Sequence, residues 1–223
     1  MTEKGLIVCM KYENGNFAKP QIVLEESFHL SYPYVFEKDG TIYMMPETSA
    51  DGCIQLYKAV DFPYKWEKEK ILVKIKNAVD TVISGDYLVA SVVTDAAAMK
   101  VDVELYNIFD GKPYLKNPVE KCSQTARGAG KIFQVNGRTI RPAQDCTDAV
   151  YGAGLVFYEI KEDNGFFTES IYKKLSTSDI KVENGRTPCG VHTYARCKGI
   201  EIIDYKMRRF NLRRILWIIK KKI

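Results

Sequence analysis

Short apolar runs separated by turn-forming dipeptides occur along most of the chain. The runs are rich in tyrosine, valine, isoleucine and phenylalanine, which favour strands over helices. Asparagine or aspartate followed by glycine readily adopts the positive φ values of a tight type I′ hairpin turn. The pattern therefore predicts an all-β fold with strand pairs around four turns: Asp39-Gly40, Gly85-Asp86, Asn136-Gly137 and Lys198-Gly199.

A second pattern follows each of the first three hairpins. It reads apolar, variable, apolar, tyrosine, and it leads through a turn into another strand-forming run: IQLYKA at 54–59, VELYNI at 103–108 and LVFYEI at 155–160. An inner hairpin followed by an outer strand pair is the composition of a propeller blade, which takes ~40–50 residues. We therefore predict a β-propeller with four recognisable four-stranded units, and a β-sandwich is the alternative.

The two ends of this repeat are incomplete. Residues 6–24 resemble an outer strand pair, whereas residues 191–205 resemble an inner hairpin with no outer pair after it. We expect the two segments to complete one blade, because this would seal the ring and remove two exposed sheet edges. The predicted propeller domain covers residues 1–205, and residues 206–223 form a separate tail.

Charge also separates the tail from the body. The net charge is +5, yet residues 206–223 contain eight basic residues and no acidic ones, so the body is slightly negative. As a helix, the tail places its leucines and isoleucines along one side. This predicts a short C-terminal amphipathic helix that binds an anionic membrane surface or a partner protein, with membrane contacts at Arg213, Arg214, Trp217, Lys220 and Lys221. Nucleic acid is not a predicted partner, because the body carries no nucleic-acid-binding motif.

Composition argues against several other classes of protein. Hydrophobic residues make up 46% of the chain and charged residues 27%, which is typical of a globular domain. No apolar run is long enough to span a bilayer, and the first residues lack a signal-peptide pattern, so we expect a cytoplasmic protein that is peripheral at the membrane. The six scattered cysteines and two histidines predict no metal site, and the absence of phosphate-binding glycine motifs predicts no cofactor.

Three stretches of the chain resemble one known domain family. They are residues 29–49 (HLSYPYVFEKDGTIYMMPETS), 126–152 (ARGAGKIFQVNGRTIRPAQDCTDAVYG) and 190–205. Over about residues 5–206 the chain is similar to the N-terminal domain of glucosamine inositolphosphorylceramide transferase family proteins, which is similar in turn to the five-bladed propellers of glycoside hydrolase families 43 and 32/68. The resemblance implies a carbohydrate-recognition propeller that supports glycan, glycolipid or surface-polysaccharide biosynthesis.

One departure from the family pattern bears on catalysis. Family members open with an Ala-Asp-Pro-Phe hairpin, and in family 43 glycosidases the corresponding hairpin carries the aspartate that acts as general base. This sequence begins after that point, which indicates either a four-bladed ring or part of a longer product. The resemblance therefore implies binding of a carbohydrate or glycolipid ligand rather than hydrolysis.

The first strand of each predicted unit supplies candidate ligand-binding residues. Propeller ligands bind at the centre of one face, where equivalent positions of successive blades converge. Four polar or aromatic side chains at such positions suit a sugar, which offers hydroxyls and an apolar ring face: Tyr32, Asp80, Arg127 and His192. The structural alternative is that they satisfy buried backbone groups near the axis.

A cluster of three polar residues and one separate glutamate complete the candidate set. Arg141, Gln144 and Asp145 form a dense polar group in which an arginine–aspartate pair would grip a ligand or act as a latch between blades. Glu47 ends a predicted strand and is either a sugar contact or a solvated turn residue. In the alternative function, a glycoside hydrolase or glycosyl-transfer enzyme, Glu47, Asp80 and Asp145 would supply a pair of catalytic carboxylates. A protein-binding scaffold is the third possibility.

Overall fold

The protein is all-β. Residues 4–163, 166–182, 186–197 and 199–208 are described by a computed structural model. Within those residues the chain forms eighteen strands and three single-turn 3-10 segments, with no α-helix. The strand-forming runs and hairpin turns of the sequence are therefore confirmed as the basis of the fold.

Two small antiparallel sheets lie at the N-terminal side. Their strands are β1 (Ile7–Cys9), β2 (Tyr12–Glu13), β3 (Asn16–Phe17) and β4 (Gln21–Leu24). The first and fourth of these strands pair with each other, and the second pairs with the third.

Three sheets of four consecutive antiparallel strands follow, and they account for most of the structure. The first sheet contains β5 (Ser31–Lys38), β6 (Thr41–Glu47), β7 (Cys53–Asp61) and β8 (Lys65–Lys74). The second contains β9 (Ala78–Ser84), β10 (Tyr87–Asp95), β11 (Lys100–Asn107) and β12 (Glu120–Ser123). The third contains β13 (Phe133–Val135), β14 (Arg138–Asp145), β15 (Gly154–Asp163) and β16 (Phe166–Ser176), and a last hairpin is made of β17 (Tyr194–Cys197) and β18 (Ile200–Ile203).

Local sequence explains the hairpins that open the first and third sheets. Asp39 and Gly40 have φ values of 50° and 73°, and Asn136 and Gly137 have φ values of 49° and 74°. Two successive left-handed residues are what a type I′ turn requires, and the flanking strands pair directly across each turn. Both predicted turns are therefore confirmed.

The tyrosine of the second pattern lies in the third strand of each four-stranded sheet. The three equivalent side chains are buried, with exposures of 1%, 6% and 5%: Tyr57, Tyr106 and Tyr158. The Tyr57 hydroxyl donates to Glu26 at 2.9 Å, and the Tyr158 hydroxyl lies 2.8 Å from the Thr125 hydroxyl. Each ring thus fills the core of its sheet. The hydroxyls of Tyr57 and Tyr158 bond outside their sheets, whereas the Tyr106 hydroxyl bonds to Glu104 of the same strand.

The terminal strand pairs do not combine into one sheet. The β1–β4 pair packs against the first four-stranded sheet through Ile7 and Leu24, which contact a cluster containing Met44. The last hairpin packs against the third sheet, where Tyr194 joins a cluster containing Leu155. Among the described residues no strand pairing links 6–24 to 191–205. Completion of one blade by these two segments therefore stays a prediction, since the pairing that would join them is not seen within the described ranges.

The predicted tail is described only in part. Lys206 pairs through its backbone with Gly190. The amphipathic helix predicted within 206–223, including all five of its membrane-contact residues, lies outside the described residues. Within the described ranges, no helix has the length and apolar character needed to cross a membrane.

The second and third sheets contact each other through bare backbone at Gly128. Its amide donates to the Ser91 hydroxyl at 2.9 Å. A Cβ atom at this position would lie 2.6 Å from the Asp80 carbonyl oxygen, far inside van der Waals contact. Because any side chain would push the two sheets apart, this glycine sets how closely they approach.

Candidate functional site

A cavity of about 760 Å³ lies where the three four-stranded sheets and the last hairpin meet. All four residues from the equivalent first-strand positions line it, together with two further predicted residues: Tyr32, Asp80, Arg127, His192, Glu47 and Gln144. The exposed side chains of Lys131 and Arg196 lie at its mouth. Residues at equivalent positions of the predicted strand units therefore line the same cavity.

Backbone irregularities direct the side chains of Tyr32 and Asp80 into this cavity. Both residues have left-handed φ values, 46° and 49°, which are uncommon outside glycine. The strand register shifts next to each of them, as in a β-bulge, which turns a side chain away from its regular direction. Residues in such backbone conformations often occur at functional sites, which makes this surface a candidate site.

The third sheet brings Arg127 to the equivalent place. Its carbonyl accepts from the Gln144 amide at 2.7 Å, and Ala129 donates to the Pro142 carbonyl at 3.1 Å. The segment around Arg127 therefore continues the first strand of this sheet beyond β13. The Tyr194 amide donates to the Ala129 carbonyl at 2.7 Å, which attaches the last hairpin to the same segment.

Three charged groups converge at the floor of the cavity. Arg127 Nε donates to Asp80 Oδ2 at 2.5 Å, and Gln144 Nε2 donates to the same oxygen at 3.3 Å. Arg127 Nη2 lies 4.0 Å from Glu47 Oε2. One guanidinium thus serves two carboxyl groups.

This crowding shifts the acidities of the two carboxyl groups. Burial and the charge of Asp80 raise the pKa of Glu47 to about 7, although Arg127 acts in the opposite direction. Burial also raises the pKa of Asp80, again opposed by Arg127. Since Arg127 forms its short contact with Asp80 rather than Glu47, the proton retained near neutral pH resides mainly on Glu47.

An aromatic wall borders the floor. The Arg127 guanidinium lies over the Tyr151 ring at 5.3 Å, and the His192 ring centre is 5.1 Å from that of Tyr151. His192 Nδ1 is hydrogen-bonded to the Asp204 carboxylate, which also accepts from the Thr193 amide at 2.7 Å. Although burial favours protonated Asp204, these hydrogen bonds bring its pKa to about 2. Asp204 therefore fixes the orientation of His192.

The Tyr32 hydroxyl is buried without a hydrogen-bond partner among the described residues. Burial is the main reason that its pKa lies well above the usual tyrosine value, and the charge of Asp80 adds to the rise. The side chain is therefore a neutral hydroxyl at the cavity. A buried polar group without a partner costs about 1–3 kcal/mol, which a ligand atom would recover.

Arg141 and Asp145 do not line the cavity and do not pair with each other. Arg141 is 2% exposed, makes two hydrogen bonds of 2.6 Å to Glu169, and donates to the Ala126 carbonyl at 2.8 Å. Asp145 accepts from the backbone amide of Thr147 at 3.0 Å. The Arg141 contacts join β14 to β16 of the same sheet and to the segment before β13. The predicted arginine–aspartate latch between blades is therefore wrong, because Arg141 pairs with Glu169 inside one sheet.

The carboxyl spacing bears on the hydrolytic alternative. Glycosidases hold their two carboxyl groups about 5–5.5 Å apart for retention or about 6.5–9.5 Å apart for inversion. Glu47 and Asp80 both line the cavity and both face Arg127, whereas Asp145 is outside the cavity. Glu47 and Asp80 are therefore the one pair among the three candidate carboxyl groups that shares this cavity. Within the described ranges, no group of three or more His, Cys, Asp and Glu side chains is placed to hold a metal ion.

Sequence reasoning missed Tyr151, Asp204 and Glu169. Tyr151 follows the conspicuous stretch 141–146 in a loop, and a tyrosine next to Gly152 is a usable signal for a ring at a turn. Asp204 directly follows β18, which makes it one of two acids, with Glu201, in an otherwise largely apolar stretch. Glu169 lies in an alternating, outwardly polar strand and carries no local sign that it is buried.

Comparisons with known proteins show the family of this chain. The model of the family described as "Glucosamine inositolphosphorylceramide transferase 1, N-terminal" matches residues 1–192. The chain belongs to this family. The family resemblance is thereby confirmed, and the match contains the stretches 29–49 and 126–152.

Individual relatives match part of the chain. A glucosamine inositolphosphorylceramide transferase 1 from Arabidopsis thaliana is 40% identical over 136 residues, which is 56% of this chain and 18% of the relative. Proteins of the same name from Oryza sativa subspecies indica and japonica are each 32% identical over 165 residues, which is 69% of this chain and 21% of the relative. The chain spans about a fifth of the length of these curated relatives.

Replacing Glu47 by glutamine is expected to change how stability depends on pH. Between pH 4.5 and about 7 the folded wild-type protein binds more protons than the unfolded chain, so its stability falls as pH rises. Glutamine cannot ionise. The free energy of unfolding of Glu47→Gln relative to wild type should therefore rise by up to about 3 kcal/mol between pH 5 and pH 8, measured by urea unfolding. Glu37→Gln, at an exposed position of the same sheet, should show no such trend.

Replacing Glu169 by alanine is expected to destabilise the protein strongly. The change leaves the Arg141 guanidinium buried without its carboxylate, which typically costs about 3–5 kcal/mol. The matched control is Glu159→Ala, because Glu159 pairs with the half-exposed Arg138 at 3.3 Å and such pairs contribute less than about 1 kcal/mol. Equal losses in chemical denaturation would contradict the role assigned to the buried pair.

Proposed function

We propose that this chain is a carbohydrate-binding β-propeller domain that supports glycolipid or surface-polysaccharide biosynthesis without hydrolysing its ligand. The observation that carries the proposal is the convergence of Tyr32, Asp80, Arg127 and His192 on one cavity. These residues come from equivalent positions of successive strand units, which is how a propeller builds a site on its axis. Three consecutive four-stranded antiparallel sheets support the same architecture.

The cavity has the size and chemistry that a sugar requires. Its volume of about 760 Å³ falls within the range of about 300–1,000 Å³ that is usual for small-molecule sites. Tyr151, which is 38% exposed, offers a ring for the apolar side of a sugar ring. Arg127, whose side chain is 23% exposed, offers hydrogen bonds to the sugar hydroxyl groups.

Family membership narrows the biological setting. The names of the curated relatives refer to the transfer of glucosamine and to inositolphosphorylceramide. We infer that this domain holds a glycan or glycolipid for a transferase, in a role separate from the chemical step. Because the chain spans about a fifth of those relatives, this assignment concerns the recognition domain and not the whole activity.

An enzyme is the second candidate, and one observation favours it. Glu47, with a pKa of about 7, is able to donate or accept a proton at neutral pH, as a general acid must. The hydrogen bonds that Arg127 and Gln144 donate to Asp80 argue against its use as the second catalytic carboxylate. Release of nitrophenol from aryl glycosides by the wild type, lost in Glu47→Gln, would favour this candidate over recognition alone.

Sugar binding is tested by a matched pair of tyrosine variants. Tyr151→Ala removes a cavity ring that contacts an arginine at 5.3 Å, whereas Tyr172→Ala removes a ring outside the cavity that contacts Arg138 at 5.5 Å. Stacking is worth about 0.5–1.5 kcal/mol, so Tyr151→Ala should weaken binding up to about tenfold. Titration with glucosamine, inositol and common hexoses, followed by NMR, measures the effect.

Two outcomes would contradict recognition of sugars by this cavity. One is the absence of binding to every compound in that panel. The other is equal weakening by Tyr151→Ala and Tyr172→Ala, which would place the bound sugar elsewhere.

We propose further that the basic tail places the domain at the cytoplasmic surface of an anionic membrane. Arg213, Arg214, Lys220 and Lys221 would each contribute about 1 kcal/mol near anionic lipid, and Trp217 would enter the interface. Flotation with vesicles containing phosphatidylserine should fall to background when residues 206–223 are removed or when vesicles are neutral. Equal flotation of both proteins would reject the membrane role and favour a protein partner for the tail.

A further inference from the structure

The chain contains two histidines, and both line the cavity. His29 lies two residues before β5, and His192 lies two residues before β17. His29 is exposed and the His192 side chain is 36% exposed, so a ligand in the cavity is able to reach both rings. In each ring Nδ1 is hydrogen-bonded to the protein, whereas the described residues form no hydrogen bond to Nε2. The partner of Nδ1 therefore decides what each Nε2 offers to a ligand.

The partner of His192 Nδ1 is the Asp204 carboxylate. Asp204 Oδ1 accepts from the backbone amides of His192 and Thr193 at 3.1 and 2.7 Å, while Oδ2 bonds to the ring. Although burial opposes it, these hydrogen bonds bring the pKa of Asp204 to about 2. An ionised carboxylate is only an acceptor, so Nδ1 carries the proton of the neutral ring. Nε2 of His192 is therefore an acceptor.

The partner of His29 Nδ1 is the opposite kind of group. The Gly5 backbone amide donates to this nitrogen at 2.9 Å, and the Leu30 amide donates to the Gly5 carbonyl at 3.2 Å. A Cβ atom at position 5 would lie 2.7 Å from His29 Cε1, so a larger residue would displace the ring. Because a backbone amide is only a donor, Nδ1 holds the lone pair and the neutral ring carries its proton on Nε2.

His192 is an acceptor beside a donor. The Tyr151 ring centre lies 5.1 Å from that of His192 and 5.3 Å from the Arg127 guanidinium, so both side chains adjoin the same ring in the cavity. The guanidinium is only a donor. A ligand hydroxyl that accepts from Arg127 still has one proton to donate, and Nε2 of His192 is able to accept it.

We propose that the two histidines are held in opposite tautomers, so that the cavity presents an accepting Nε2 at His192 and a donating Nε2–H at His29 to the hydroxyl groups of its ligand. His192 and His29 are then ligand-binding residues, and Asp204 and Gly5 act through them as positioning residues. This inference rests on the proposed sugar-binding function, and it adds His29 to the candidate site.

The first experiment needs no ligand. Long-range proton–nitrogen NMR correlations show which ring nitrogen carries the proton, and they are recorded on the full chain at about pH 8.5, where an ordinary imidazole is neutral. We expect the Nδ1–H form for His192 and the Nε2–H form for His29. The signals are assigned by their loss in His192→Asn and His29→Asn. The same tautomer in both rings would overturn the inference, whatever the protein binds.

A substitution at Asp204 should reverse one tautomer. In Asp204→Asn the amide oxygen is retained by the two backbone amides, so the NH2 group faces the ring and His192 should convert to the Nε2–H form. The matched control is Asp145→Asn, because the Asp145 carboxylate also accepts from a backbone amide, that of Thr147 at 3.0 Å, but lies outside the cavity. Both histidines should keep their tautomers in this control. An unchanged His192 tautomer in Asp204→Asn would overturn the role of Asp204.

The second experiment titrates the sugar panel into the same proteins. Asparagine retains a polar group near the position of Nδ1 and lacks Nε2, so His192→Asn and His29→Asn each remove one ligand hydrogen bond. Each should weaken binding between about twofold and tenfold. Asp145→Asn should bind as the wild type does.

A double variant separates a positioning role of Asp204 from a merely structural one. Asp204→Asn alone should weaken binding about as much as His192→Asn, because the ligand hydroxyl then meets two donors and has no acceptor for its proton. In a protein that already carries His192→Asn, the Asp204→Asn substitution should cause no further loss. Independent losses that add together would overturn the action of Asp204 through the ring.

The outcomes separate this inference from the proposed function. Sugar binding that is unaffected by His192→Asn and His29→Asn overturns the inference and leaves sugar recognition standing. Failure of every sugar to bind overturns the proposed function, and with it the ligand-binding role of both histidines.

Discussion

The Arg127 guanidinium lies 2.5 Å from the buried Asp80 carboxylate, and this contact joins the third sheet to the second at the centre of the molecule. Isolated, either charge would be too costly to bury. Together they allow a polar floor beneath a cavity whose flanks are packed apolar sheets. The same guanidinium lies over Tyr151 and faces Glu47, so one side chain holds the acidic pair and the aromatic wall in a fixed relation. Most properties of the candidate site depend on this placement.

The two arginines Arg141 and Arg127 lie in different environments. The side chains of Arg141 and Glu169 are 2% and 3% exposed, and their ion pair joins β14 to β16 within one sheet. Arg127 keeps 23% of its side chain accessible and faces the cavity. Both belong to the segment 126–152 that carries the strongest family resemblance. This segment thus contains one ion pair inside a sheet and one that faces the cavity, and only packing distinguishes them.

Local rules predicted the strands well because the turn dipeptides specify their own backbone, as Asp39-Gly40 and Asn136-Gly137 do. The repeat register also predicted that Tyr32, Asp80, Arg127 and His192 share one cavity, since equivalent strand positions face the same way. Partners contributed by distant strands were not accessible to this reasoning: Glu169 for Arg141 and Asp204 for His192. The packing of the two terminal strand pairs also escaped it, because apolar faces alone do not specify which neighbour covers them.

Gly128 restricts how much this cavity can change among relatives of the chain. A Cβ atom at position 128 would lie 2.6 Å from the Asp80 carbonyl oxygen, so a larger residue cannot replace Gly128 unless Asp80 moves. Because Asp80 is part of β9, such a movement would displace the second sheet. The exposed mouth has no such restriction, since Lys131 and Arg196 extend into solvent. Relatives with the same glycine would therefore read the same inner portion of a ligand and differ in what they accept at its outer end.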